Sequence, residues 1–304
     1  MNTNKKNIPA SIRARLFNKS KELKRPFLEI LQYYAMERFL YRLSISEFSK
    51  NFYLKGALLF RIWNPEMHRA TMDIDMLAKT LNKRENLEKI CKKICNIQSN
   101  PDDGIQFDVK SIKSSEIQIE AEYGGIRLEF EAELNKAIIS MQIDIGFGDI
   151  ITPKPQSIIF PTILNLPPPH LQGYTPESVI AEKLEVMVKR ELTNSRMKDF
   201  YDIWILSKSS FVQKDKLILA IQKTFQHRGT IIPIHPFCLT TDFSNHPEKQ
   251  NQWNSWIKKM KISSIISLPD LISELKTYLL PIFQEIKEKN NSKVEYKFDK
   301  NTKK

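Results

Sequence analysis

The sequence predicts an α+β fold in which a mixed sheet with flanking helices is followed by a helical C-terminal domain. Segments of alternating hydrophobicity follow one another between residues 105 and 147, which is typical of antiparallel or mixed strands. Residues 153–176 are crowded with prolines, which neither donate to a strand ladder nor continue a helix, so this stretch predicts a connection between domains. Helical patterns dominate the rest of the chain.

The elements before the sheet follow from local patterns. Two helical patterns occupy residues 11–44, with apolar residues at spacings of three and four. FYLKGALLFRIW then predicts a short strand, a glycine turn and a helix, and MDIDMLA predicts a second strand. A helix is expected at 81–95. The segments IQFDVKSI, IQIEAEY, IRLEFEAEL and IISMQIDIGF complete a sheet of about five strands.

These patterns divide the chain into four parts. We expect an N-terminal helical segment at 1–50, a sheet domain at 51–165, a helical domain completing the active site at 166–286 and a basic, disordered tail at 287–304. The helical domain opens with a helix through Arg190, for which Thr175 is the cap and Pro176 the first helical position. The apolar stripe of this helix leaves Glu182, Glu185 and Lys189 on the solvated side. The tail is rich in Lys and Asn and poor in apolar residues, so it has little surface to bury.

The composition indicates the partners. The 304 residues carry a formal charge of +12, which attracts polyanions such as RNA. Three cysteines cannot form a disulfide framework, and we find neither a signal peptide nor an apolar stretch long enough to span a membrane. We therefore expect a cytoplasmic protein.

Paired carboxylates suggest metal chemistry. In TMDIDM the strand period of two directs Asp73 and Asp75 to one face, while Ile74 enters the other. Asp144 alternates with isoleucines in MQIDIGFGD, so a neighbouring strand can bring it to the same edge. Carboxylates crowded on one face favour Mg²⁺ or Mn²⁺, although such pairs also occur on solvated strands. Three acids can hold two ions, the arrangement that serves nucleotidyl transfer. Asp149 is expected to be a turn or cap residue that could assist.

The residues around this strand can bind the nucleotide. Lys55, Gly56 and Ala57 lie between a strand and a helix, where backbone N–H groups can hold a triphosphate, although a simple tight turn is the alternative. Arg69 and Thr71 come just before the aspartate pair and are also candidates for contact with the nucleotide.

Five blocks in this order resemble the AbiEii/AbiGii toxin family, within the polymerase-β-type nucleotidyltransferase superfamily. The resemblance runs from about residue 11 to residue 283, and the blocks are LKGALLFRIW, HRATMDIDM, MQIDIGFGD, ESVIAEKLEVMVKR and NSRMKDFYDIW. It implies a toxin of a bacterial toxin–antitoxin or abortive-infection (phage defence) system with a cognate antitoxin. Such a toxin transfers nucleotides from an NTP to an RNA acceptor, and characterised relatives modify tRNA 3′ ends.

The family's site residues carry over to individual positions. The resemblance implies that Asp73 and Asp75 are metal ligands and that Gly56 is the glycine of the phosphate turn. Lys183 falls in a later active-site motif. Ala57 departs from the pattern, because the superfamily usually has serine there, so a hydroxyl contact to phosphate is lost.

The helical half offers a lysine and two acids. Lys183 lies along the inward edge of its helix and needs an anionic partner, so it either pairs with a glutamate or reaches the triphosphate. Asp199, which the resemblance also places in the site, shares a helix face with Asp202 at a spacing of three. The two acids either simply support Lys183 or Arg196, or one of them orients the lysine or acts on the acceptor hydroxyl, and we favour Asp199 for that role.

Two other classes of function fit parts of the sequence. The chain could be a nonenzymatic RNA- or partner-binding module with a relic acidic cluster, or a nucleotidyltransferase acting on a small molecule such as an antibiotic. Phe225, Arg228, Trp253 and Trp256 could face RNA, but aromatic residues in helices more often belong to the core.

Overall fold

The computed structural model describes residues 7–63, 69–117, 124–260 and 266–301, with side chains through residue 289. These residues form two compact units. The sheet unit comprises Met1–Asp149 and Pro155–Tyr174, and the helical unit comprises Ile150–Lys154 and Thr175–Lys304. The N-terminal helices thus belong to the sheet unit, and the division falls after Tyr174, whereas the sequence suggested separate parts ending at residues 50 and 165.

The sheet unit contains the helices and strands expected from its local patterns, with additions. Its helices are α1 (Ile8–Glu22), α2 (Phe27–Ser44), α3 (Phe60–Trp63) and α4 (Arg84–Cys95). Its strands are β1 (Phe52–Lys55), β2 (Ile74–Ala78), β3 (Gln106–Ile117), β4 (Gly125–Leu134), β5 (Ala137–Gly146), β6 (Gln156–Ile159) and β7 (His170–Gly173). Residues 118–123 of the expected IQIEAEY strand lie outside the described residues.

The described strands form one mixed sheet in the order β3-β4-β5-β2-β1-β7-β6. The pairs β2–β5 and β1–β7 are parallel, and the other neighbours are antiparallel. A mixed sheet was expected, but with about five strands and with residues 153–176 as a plain connection. That part of the prediction was wrong, because β6 and β7 lie there. The prolines flank the two strands instead of interrupting them, and β6 is an edge strand, so the ladder loses few donors.

One face of the sheet is buried under α2 and α4. Phe39 of α2 and Leu87 of α4 meet Met76, Ile143 and Ile145 there, and all five side chains are buried. Asp75, Gln142 and Asp144, which alternate with these residues along the same strands, are part exposed on the opposite face, as the pleat requires. The hydrophobic face therefore fixes the register, which in turn decides which polar residues share the open face.

The helical unit contains α5 (Pro176–Arg190), α6 (Met197–Ser207), α7 (Lys214–His227), α8 (Thr241–Asn245), α9 (Pro247–Met260) and α10 (Leu268–Asn301). Thr175 caps α5 as expected, its hydroxyl oxygen accepting from the Ser178 N–H at 3.3 Å. The backbone of α10 continues to Asn301, where the sequence suggested a disordered tail from residue 287. A pair at a spacing of four, Lys289 with Glu285 at 2.7 Å, supports this extension. In the described part of the chain no helix is both long and apolar enough to cross a membrane.

Two expectations about the helical unit are settled by burial. Glu185 was expected on the solvated side of α5 but is fully buried, because Arg228 from the end of α7 reaches it at 2.9 Å. Phe225 and Trp253 are also buried. These side chains belong to the core, which was the more common of the two explanations.

Candidate active site

Three aspartates converge on the open face of the sheet. Asp73 lies immediately before β2, Asp75 lies within it, and the parallel pairing of β2 with β5 sets Asp75 beside Asp144. Each offers a carboxylate oxygen, and these oxygens lie within 4.8 Å of one another. Ile74, between the two β2 aspartates, is fully buried on the other face. The prediction that the three acids meet at one edge is confirmed.

This donor set fits a divalent cation. Like charges at such a spacing repel unless a cation lies between them, and carboxylate oxygens are the ligands that Mg²⁺ and Mn²⁺ prefer. The group contains neither histidine nor cysteine, the usual ligands of zinc. All three residues are partly exposed, so an ion can reach them from solvent.

Gly56 makes room for this centre. Its φ of +74° lies in the region that favours glycine. A Cβ at this position would lie 2.0 Å from Oδ2 of Asp75 and 2.6 Å from that residue's Cβ and Cγ. The cause is the register of β1 on β2, which pairs Lys55 with Asp75 and ends the strand at the glycine. The glycine turn was predicted, but its close approach to the aspartate was not.

Arg127 is a site residue that the sequence analysis missed. It lies on β4 directly opposite Asp144 in the antiparallel ladder. Its Nε donates to Oδ1 of Asp144 and its Nη2 to Oδ2, both at 2.8 Å, and Gln142 Nε2 lies 3.3 Å from both oxygens. The hydrogen bond to Asp144 raises the pKa of Arg127 above its ordinary value. The third carboxylate is therefore held at both oxygens by a neighbouring cation.

Two side chains of α2 form hydrogen bonds with the backbone just before Asp73. Tyr33, which is buried, accepts the Thr71 N–H at 3.2 Å, and the Thr71 hydroxyl donates to Oδ1 of Asp73. Gln32 donates to the carbonyl oxygen of Met72 at 3.3 Å. The chain is thus fixed on both sides of Met72, just before the strand that carries Asp75.

Three other residues were predicted to contact the nucleotide, namely Lys55, Ala57 and Arg69. Lys55 donates to Asp149 at 3.3 Å, and its ammonium lies 5.3 Å from the centre of the Tyr174 ring. Asp149 therefore has a cationic partner, as a supporting residue would. Ala57 is buried at the start of the short turn of helix before α3, and Arg69 is half-buried.

The helical unit brings its predicted polar residues into one cluster. Lys183 of α5 donates to Asp199 of α6 at 2.6 Å and lies 2.9 Å from Asp202. Arg196 also donates to Asp199, at 2.5 Å. Lys183 thus pairs with two aspartates, where the sequence suggested a glutamate or the triphosphate.

Asp199 is ionised because its partners outweigh its burial. The side chain is fully buried, which alone would raise its pKa. The charges of Lys183 and Arg196 dominate and hold the pKa well below its usual value. Asp199 is therefore a fixed anion at neutral pH.

A family model described as "Nucleotidyl transferase AbiEii toxin, Type IV TA system" matches residues 38–272. The chain belongs to the AbiEii toxin family. The match spans all the predicted site residues, from Lys55 to Asp202, and it confirms the family to which the sequence motifs pointed. No curated protein is significantly similar in sequence.

Solved structures share the fold of this AbiEii-family chain. The JHP933 protein of Helicobacter pylori superposes with a TM-score of 0.51 at 16% identity, covering 88% of this chain and 97% of that one. A second Helicobacter pylori structure, described provisionally as a nucleotidyltransferase, gives 0.52 at 16% identity, covering 85% and 96%. At this identity the likeness concerns the fold alone.

Proposed function

We propose that this chain transfers a nucleotide from an NTP to an RNA acceptor, the 3′ end of tRNA, with Mg²⁺ or Mn²⁺ held by Asp73, Asp75 and Asp144. The observation that carries the proposal is the meeting of these three carboxylates within 4.8 Å on one face of the sheet. Membership of a nucleotidyl transferase toxin family supplies the reaction class.

The fold of the sheet unit places the three carboxylates and the glycine turn close together. When bound, the divalent ions lower the barrier by activating the acceptor hydroxyl and stabilising the leaving pyrophosphate. Asp73 and Asp75 approach from one side and Asp144 from the neighbouring strand, so the ligands are arranged before any ion arrives. Gly56 lets the turn after β1 lie against Asp75, and this closeness would place a triphosphate on the turn next to the metal ligands.

The nucleotide would bind to residues around the turn after β1. In the sheet unit these are Lys55, Gly56 and Ala57 of the turn, which offers backbone N–H groups, together with Arg69 and Thr71. Ala57 has no hydroxyl to offer, so binding at the turn relies on the backbone.

In the helical unit the family resemblance gives Lys183 the role of a triphosphate-binding residue. Asp199, with a pKa far below neutral, is too weak a base to take a proton from the acceptor, so we assign it the positioning of Lys183. Asp202 and Arg196 support the same ion-pair cluster.

The charge of the chain favours a polyanionic acceptor over a small molecule. A net charge of +12 accelerates encounter with RNA and makes binding depend on salt. As a member of this toxin family, the protein would act in the cytoplasm, in phage defence, under the control of a cognate antitoxin.

The test is a transfer assay with purified protein. The full chain is incubated with total RNA, Mg²⁺ or Mn²⁺ and each labelled NTP in turn, and labelled RNA is sequenced. Asp75→Asn keeps the side-chain shape but removes the charge, and Glu131→Gln, an exposed acid on β4, is the matched control. We expect label on tRNA 3′ ends with the wild type and the control but not with Asp75→Asn. Unlabelled RNA with every NTP, or equal labelling by Asp75→Asn, would contradict the proposal.

A further inference from the structure

The metal ligands lie in a row of charges across four neighbouring strands. The registers of β1 on β2, β2 on β5 and β5 on β4 align Lys55, Asp75, Asp144 and Arg127 in that order. The two acids are thus flanked by a cation on each side. Lys55 turns its ammonium to Asp149, whereas Arg127 turns its guanidinium to the metal ligand itself.

We propose that Arg127 is a positioning residue of the metal centre, which restricts Asp144 to offering one oxygen at a time and counters the charge of the three aspartates before an ion binds. This inference rests on the proposed function, because it concerns the same centre.

The hydrogen-bond geometry supports the restriction. A carboxylate has about four lone-pair sites, two on each oxygen. Arg127 takes one on each oxygen through two bonds of 2.8 Å, in the side-by-side arrangement of a bidentate pair. An ion chelated by both oxygens of Asp144 would have to displace the guanidinium from these sites. An ion that meets a single oxygen would not.

The charge distribution supports the second role. Three carboxylates whose oxygens lie within 4.8 Å repel one another when no cation is present. Arg127 contacts both oxygens of Asp144 at 2.8 Å, so its positive charge lies beside this acidic group. Arg127 therefore lowers the repulsion in the metal-free protein, and for the same reason it weakens the attraction for an incoming cation.

Replacing Arg127 with lysine can separate its effect on the geometry of Asp144 from its effect on charge. A guanidinium presents a planar fork that holds both oxygens, whereas a lysine ammonium keeps the charge without that geometry. The Arg127 side chain is 34% exposed, so a shorter side chain there leaves no cavity in the core and the variants should fold. Lys113 provides a matched control, since it is an exposed cation on β3 opposite Glu129, one ladder step away on the same face.

The experiment uses the full chain as wild type, Arg127→Gln, Arg127→Lys and Lys113→Gln. Calorimetry measures the Kd for Mn²⁺, thermal melts with and without Mn²⁺ measure the metal-induced shift in Tm, and the transfer assay gives kcat at saturating Mn²⁺. We expect Arg127→Gln to bind Mn²⁺ about tenfold more tightly, because removing a positive charge several ångströms from a divalent ion removes a repulsion of that order. Its metal-free Tm should fall and its metal-induced shift should grow.

The kcat of Arg127→Gln should fall although this variant binds Mn²⁺ more tightly. Without the guanidinium, Asp144 keeps the longer contacts of Gln142 at 3.3 Å but can shift, so we expect kcat of Arg127→Gln to fall about a hundredfold, the effect of a misplacement of about 1 Å at a reacting centre. Arg127→Lys should keep the wild-type Kd but recover little of the kcat, and Lys113→Gln should match the wild type.

Two results would overturn the inference. If Arg127→Gln loses Mn²⁺ binding and turnover together, the residue merely supports the fold, and if it matches Lys113→Gln in both, it has no role at the centre. A wild type that binds Mn²⁺ but labels no RNA contradicts the proposed function instead. In that case the Mn²⁺ affinities and melting shifts still decide the role of Arg127.

Discussion

Replacing Gly56 with alanine tests whether Asp75 must occupy its observed position. The substitution has two effects of known size. A non-glycine residue at φ +74° and ψ −159°, a region that essentially only glycine occupies, costs about 1–3 kcal/mol of stability. The new Cβ would also lie 2.0 Å from Oδ2 and 2.6 Å from Cβ of Asp75. Since ordinary contacts between carbon atoms are about 3.5–4.0 Å, the aspartate must retreat by about 1 Å.

A rotation of the side chain cannot relieve this clash. The Cβ of Asp75 is fixed to the backbone of β2, so β1 and β2 must themselves shift apart. A displacement of about 1 Å at a metal ligand predicts a loss of turnover of about a hundredfold or more. The assay is nucleotide transfer at saturating NTP and Mn²⁺, together with a denaturant melt of each variant.

Gly229 provides the matched control for backbone strain. It has a φ of +63°, but a Cβ there would meet no atom within 4 Å. Gly229→Ala should therefore lose stability within the same range of about 1–3 kcal/mol and keep its activity. Transfer by Gly56→Ala within about threefold of the wild type would refute the reasoning, because at about 1.4 kcal/mol per tenfold change such a loss is too small for a displaced metal ligand.

Three further substitutions test the supports of the site and the fold. Tyr33→Phe removes the hydroxyl that fixes the approach to Asp73, so it should cost about 1–2 kcal/mol in a denaturant melt and lower transfer at limiting Mn²⁺. Tyr34→Phe, which removes a buried hydroxyl bonded elsewhere, should cost as much without lowering transfer, and equal transfer by both variants would contradict this role. Asp199→Asn removes the buried anion that Lys183 and Arg196 share, and it should cost about 3 kcal/mol at pH 7, the lower end for a broken buried pair, because Asp202 still faces Lys183. Because the folded pKa of Asp199 is depressed, its stabilisation is present above about pH 4 and lost as the pH falls further, so the difference in Tm from the wild type should shrink there. Glu37 of α2 is fully buried, and this burial raises its pKa to about 7. The folded state therefore holds a proton that the unfolded chain releases, and the free energy of unfolding falls as the pH rises from about 4.5 to 7. Glu37→Gln should remove that loss, and a pH-independent difference in Tm between this variant and the wild type would contradict it.

Local sequence patterns were sufficient for the centre of the site. The alternation around Ile74 sends Asp73 and Asp75 to one face, and a hydrophobic sheet face enforces that register. The glycine between β1 and the following helical turn was equally visible, because a chain reversal so tight needs a positive φ. By contrast, the pairing of Asp75 with Asp144 joins strands far apart in sequence, and it was an assumption until the structure confirmed it.

Arg127 was missed although a signal was present. Asn135 and Lys136, both with positive φ, form the two-residue turn of a hairpin that pairs Leu134 with Ala137. Counting back from that turn places residue 127 opposite residue 144, and Arg127 is the single basic residue of β4. The hairpin register alone would thus have predicted that Arg127 lies opposite Asp144.

Local sequence patterns could not predict burial that depends on partners far away in the sequence. Helical periodicity assigned Glu185 to solvent, because nothing near it in sequence indicates that Arg228 would neutralise it. Likewise, β7 joins the sheet by pairing with β1 more than a hundred residues earlier, so the prolines nearby concealed a strand.

The most direct test of the central claim is anomalous diffraction from crystals grown with Mn²⁺. We predict an anomalous peak bounded by the carboxylates of Asp73, Asp75 and Asp144, which disappears in crystals of Asp75→Asn. A wild-type crystal with its Mn²⁺ peak elsewhere, or with none at this centre while the same protein transfers nucleotides in the presence of Mn²⁺, would contradict the account.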